Sequence, residues 1–169
     1  MSTDLKNTTD EDDAAFAEWQ QKVAGTNISA ITLLATDYLN HFNEIIMLIG
    51  MISDMPELVD ECRQWKPKTY QDHFRDSTFS DKDLAIAAYE HVPAKYRQPF
   101  EETIQRINAS VPLLLDQIDE AIASGQNDLI DSKAKSAAIA LQKMQDFASA
   151  IIHGSEGALS QDEIDKLVD

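Results

Sequence analysis

Over two long stretches, apolar residues return every three or four positions, a spacing that gathers them on one side of a helix and scatters them in a strand. The first series is Ile31, Leu34, Tyr38, His41 or Phe42, Ile45, Leu48, Ile49 and Ile52; the second is Ile130, Ala134, Ala137, Ala138, Leu141, Met144, Phe147 and Ile151. So broad a stripe as the first belongs to the most buried helix of a bundle. Asn27 or Ser29 is placed to cap that helix, which is expected to reach Ser53. Shorter helical pieces surround these two. Phe16, Trp19 and Val23 share a face over 14–23, before a stop at Gly25. Asp54 and Pro56 open a helix that must end before Pro67. One or two turns are expected around Tyr70 to Arg75, and a helix from Ser80 to near Val92. A long helix should run from Pro93 or Pro99 to Ser124, kinked or split by Pro112 at about 3 kcal/mol. Gly125 ends it and Asp128 starts the last one.

The expectation is an all-α fold, a helical bundle of about four main helices with short flanking helices, over residues 14–153. Residues 1–13 hold five acids and one lysine, and read as a disordered acidic tail. Residues 154–169 read as a flexible hinge followed by a short amphipathic partner-binding helix.

Charge narrows the function. Lys and Arg total 14 against 30 Asp and Glu, a formal net charge of -16. Phosphate binding needs clustered cations, so nucleic acid is not an expected partner, and an electrostatic hold on an anionic membrane is equally disfavoured. The apolar run Ile45–Ile52 is too short to span a bilayer. The single cysteine, Cys62, rules out an intramolecular disulfide and reads as structural. A cytoplasmic location is expected, and pairing into a homodimer stays open. No cofactor is called for by composition.

Two segments share a pattern: Tyr38-Leu39-Asn40-His41-Phe42-Asn43-Glu44 and Tyr70-Gln71-Asp72-His73-Phe74-Arg75-Asp76. Each places a histidine and a carboxylate three apart on one helical face. Facing one another, His41, Glu44, His73 and Asp76 would suit a divalent transition metal, with Asp37 supporting His41. The alternative is that Tyr38, His41 and Phe42 pack while Glu44 and Asp76 are solvated. Asp37 and Asn40, one turn apart, are the catalytic candidates: an acid and an amide can orient a water for attack on an aspartyl-phosphate. Glu61 and Gln64 fit that spacing nearly as well, so an enzyme is not required. Arg63, Trp65, Lys66, Lys68 and Arg75 form the one local excess of positive charge, suited to an anion or to offsetting nearby acids.

The final segment is the most specific. Ser160 and Glu163 form a capping box, while Leu159, Ile164, Leu167 and Val168 make an apolar side. The run Leu159-Ser160-Gln161-Asp162-Glu163-Ile164-Asp165 resembles the amino-terminal peptide of the flagellar switch protein FliM, Leu-Ser-Gln-x-Glu-Ile-Asp-Ala-Leu-Leu, which binds the phosphorylated chemotaxis receiver CheY. A related acidic helix closes the chemotaxis phosphatase CheZ. The resemblance implies a CheY-like receiver as partner, with Leu159, Ser160, Gln161, Glu163, Ile164, Asp165 and Leu167 in contact. Ile164 and Leu167 would fill an apolar groove. Lys166 and Val168 depart from the pattern, and the rest of the chain does not match FliM.

Overall fold

The computed structural model describes the backbone of residues 2–156 and 165–166, and side chains from residue 11 onward within those ranges. Among the described residues there are seven α-helices: α1 (Ser2–Val23), α2 (Asn40–Met51), α3 (Leu58–Gln64), α4 (Tyr70–Asp76), α5 (Lys82–Tyr89), α6 (Ala94–Ser124) and α7 (Asn127–Ile152). A 3-10 turn, Thr36–Leu39, leads into α2. No strand is present among the described residues, only an isolated bridge between Ile28 and Ala35. The protein is an all-α helical bundle. No described helix is long and apolar enough to cross a membrane.

The antiparallel hairpin of α6 and α7 makes the most extensive contact in the fold. Gly125 joins them at φ 72°, a left-handed position that favours glycine. Ile107, Val111, Leu115 and Ile118 of α6 meet Ala134, Ala137, Leu141 and Met144 of α7 in one buried core. α2 lies on α7, and α3 crosses back to α6. Phe42, Ile45 and Ile49 keep the face of α2 that the spacing assigns to the core.

Several expectations differ from the structure. The segment 27–35 is not the start of the long helix; the chain turns there and becomes helical only at Thr36. Short polar side chains compete with the helical ladder at this point. Thr26 Oγ accepts from the Ile28 N–H, Ser29 Oγ from the Ile31 N–H and Thr32 Oγ from the Leu34 N–H. Thr32 also donates to the Ile152 carbonyl at 2.6 Å, tying this loop to the end of α7. Leu33 sits at φ 66°, and Ile31, expected in the core, is 53% exposed.

α1 begins at Ser2, so the presumed tail over residues 1–13 is helical from that point. Pro112 does not split α6. Burial of Val111, Leu114 and Leu115 beside it, at about 1.5–3 kcal/mol for each large side chain, outweighs the ~3 kcal/mol penalty. Asp54 does not cap α3, which starts at Leu58 after Glu57, and α5 ends at Tyr89 rather than Val92.

Gly154 follows directly on the end of α7. It sits at φ 117°, and a Cβ there would lie 3.2 Å from Ile31. The Ser155 N–H returns to the Ala150 carbonyl, and Glu156 pairs with Lys95 at 3.5 Å. Gly157 and the hinge beyond it lie outside the described residues.

Ile45 is fully buried and Ile139 is 56% exposed. Ile45→Ala is expected to lower stability by about 2–5 kcal/mol and Ile139→Ala by under about 0.5 kcal/mol, read from urea midpoints.

Candidate functional site

The two Tyr-x-x-His-Phe segments come together in space. Tyr38 belongs to the 3-10 turn and Tyr70 is the first residue of α4. Their rings lie 5.3 Å apart, both buried. Each hydroxyl reaches the backbone leading into the other segment. Tyr38 donates to the Lys68 carbonyl at 2.7 Å, and Tyr70 accepts from the Ala35 N–H at 2.9 Å. Burial pushes both phenols well above their ordinary pKa, so they remain protonated.

The histidines follow the same crossed pattern. The Lys68 N–H donates to His41 Nε2 at 3.0 Å, while His73 Nε2 lies 3.1 Å from Asp37 Oδ2. His41 stacks on Trp65, centroids 4.8 Å apart, and Trp65 Nε1 donates to the His41 carbonyl at 3.3 Å. The two imidazole centroids are 6.4 Å apart. Burial, then the neighbouring His73 and Lys68, push His41 down to about 4. With Nε2 accepting from an amide, the neutral ring carries its proton on Nδ1.

From Asp37 a polar ladder crosses to the bundle core. Asn40 donates to Asp37 at 3.2 Å, Asn43 donates to Asn40 at 3.1 Å, and Gln145 of α7 donates to Asn43 at 2.9 Å. The Gln145 amide also reaches the Leu39 carbonyl at 3.3 Å, and its buried oxygen has no hydrogen-bond partner among the described residues. Asp37 and Asn40 therefore do meet, with one Asp37 oxygen held by Asn40 and the other by His73. Asn40 faces solvent at the start of α2.

The proposed metal ligands do not converge. Lys68 N–H occupies the His41 Nε2 lone pair, and Lys68 Nζ pairs with Asp76 at 3.1 Å. Glu44 lies with His41, Glu61, Gln64, Trp65 and Lys66 around an open cleft of about 620 Å³. Among the described residues no group of three or more His, Cys, Asp or Glu is placed to hold a metal ion.

The cationic stretch is engaged with carboxylates. Arg63 bridges Asp116 and Asp119 on α6, and Arg75 pairs with Asp72 at 2.6 Å. Cys62 is buried, its thiol pushed up to about 11 chiefly by burial, which suits a packing role. Of the carboxyl-terminal residues, Leu159, Ser160, Gln161, Glu163, Ile164 and Leu167 lie outside the described residues. Asp165 and Lys166 are helical and exposed.

Spacing alone missed Gln145. Its signal was a glutamine four residues after Leu141 and one after Met144, a polar group on the edge of an apolar stripe. Asn43 was legible only as part of the repeat. No family model, curated protein or solved structure matches the chain.

Two measurements probe this site. Tyr70→Phe leaves the buried Ala35 N–H unpaired and should lower stability by about 1–3 kcal/mol. His41 is neutral in the folded protein and titrates near 6.5 when unfolded, so the unfolded chain binds more protons between about pH 4 and 6.5. Stability should therefore fall as pH drops through that window. Allowing for partial exposure, His41 contributes on the order of 2 kcal/mol to this fall. Urea melts at pH 7.5 and 4.5 should show the loss reduced by about that amount in His41→Gln.

Proposed function

We propose that this chain is a cytoplasmic helical signalling adaptor whose carboxyl-terminal segment binds the phosphorylated form of a CheY-like receiver, in chemotaxis or two-component signalling. The observation that carries the reading is the run from Leu159 to Asp165, with its own capping box and its apolar side at Leu159, Ile164 and Leu167. A short helix of this kind is unstable alone and gains its order by laying that side into a partner's groove. The acids Asp162, Glu163 and Asp165 then face a basic rim.

Titrating peptide 155–169 against receivers of the same genome tests the reading. Binding at least tenfold tighter to the phosphorylated or beryllofluoride-treated receiver is expected, weakened by about 1–3 kcal/mol in Ile164→Ala. Absent binding, or equal binding to both receiver forms, would overturn it.

A second reading rests on the Asp37–Asn40 contact at 3.2 Å. Asn40 is exposed at the start of α2, where an amide could orient a water toward a receiver's acyl phosphate while Asp37 holds the amide in place. On this reading the tail recruits the receiver and α2 shortens the life of its phosphate. Adding the full chain should then accelerate receiver dephosphorylation, and Asn40→Ala should abolish the acceleration with the melting temperature changed by no more than a few degrees. An unchanged phosphate lifetime removes the phosphatase reading and leaves the adaptor. The metal-binding reading has no comparable observation behind it.

A further inference from the structure

We infer that the outer groove between α6 and α7 is a docking site for the chain's own segment 157–169, so that the segment alternates between its own bundle and a partner. This rests on the adaptor reading only in naming the competitor; the docking itself does not depend on it. The groove holds about 380 Å³, and Lys166 of the segment lines it together with Leu114, Ile139 and Ala140. Ile139 is 56% exposed and, with Leu113 of α6, is one of two large apolar side chains that the hairpin leaves open. A partner with an apolar helical face would cover it.

Charge selects the occupant. Lys133 and Lys143 line the same groove on α7. Residues 157–169 carry four acids, Asp162, Glu163, Asp165 and Asp169, against the single Lys166. In a chain of net charge -16, a groove edged by two lysines is an uncommon match for so acidic a segment.

The reach is sufficient. Ile139 lies 13 residues before Ile152, about 20 Å back along α7. The ten residue-to-residue steps from Glu156 to Lys166 can extend to about 33 Å, enough to turn and run back along the hairpin. Docking would use Ile164 and Leu167, the apolar positions assigned to the receiver, so the two bound states exclude one another. The groove then sets the affinity a receiver meets, because only the undocked fraction can bind.

The test compares amide spectra of the full chain with those of Ile164→Asp and of Lys133→Glu/Lys143→Glu. Docking predicts that Ile164→Asp moves the resonances of Ser136, Ala140 and Lys143, far away in sequence. Changes confined to 155–169 would overturn it. Shifts that appear only as protein concentration rises would also overturn it, in favour of a second copy in the groove. Where a receiver binds, the lysine reversal should tighten its affinity for the full chain at least threefold, and an unchanged affinity would overturn the competition. A chain that binds no receiver still reports docking through Ile164→Asp, so the two failures are distinguishable.

Discussion

Two buried tyrosine hydroxyls tie the turn before α2 to the segment that enters α4. Tyr38 and Tyr70 come from segments 32 residues apart, and each satisfies a backbone group at the entrance to the other. A buried hydroxyl without a partner costs roughly 1–3 kcal/mol, so the crossed arrangement is favoured over any register that leaves either phenol unpaired. The pair orders the chain on both sides. It sets the turn at Ala35 that delivers α2 to α7, and places Lys68 where its N–H reaches His41 and its ammonium reaches Asp76.

The same contact explains why the acidic and amide groups near α2 form a connected line. With α4 held by Tyr70, His73 meets Asp37, and Asp37 anchors Asn40 and Asn43 in sequence toward Gln145. Such a line is most rigid where every member is bonded. At its inner end the Gln145 oxygen is buried without a partner among the described residues, while midway along the line Asn40 faces solvent. That surface amide is held on one side by Asp37 and on the other, through Asn43, by Gln145 of the bundle core. Any chemistry at Asn40 would draw on that rigidity.

The long hairpin supplies the opposite quality, an even and repetitive surface. Alanines 134, 137, 140 and 148 let α7 lie close to its neighbours, and Pro112 is carried within α6 because Val111, Leu114 and Leu115 around it are buried. What the hairpin leaves outside is a groove of mixed polar and apolar lining that includes Lys133 and Lys143. The bundle thus offers two surfaces of different character, a hydrogen-bonded amide one at the start of α2 and a mixed, cationic one along α6 and α7.

Much of this was legible from residue spacing. The helical class, the core face of α2 from Tyr38 to Ile52, the stop at Gly125 and the stripe of α7 follow from local periodicity and backbone preference, which act within a few turns and need no knowledge of neighbours. The repeated Tyr-x-x-His-Phe pattern marked the residues of the candidate site but not their roles. It suggested histidines facing a shared ion; folding instead gave each imidazole a separate partner, a backbone N–H for His41 and a carboxylate for His73. The loop over 27–35 was hidden because Ile31 and Leu34 fit a helical stripe, and the bonds that favour the turn, local ones to Thr26, Ser29 and Thr32 and the long-range one from Thr32 to Ile152, leave no mark on apolar spacing. The sequence by itself determined where helices can form and which face of each is apolar. Tertiary structure decided which polar groups meet, because that depends on hydrogen bonds between segments that no local pattern brings together.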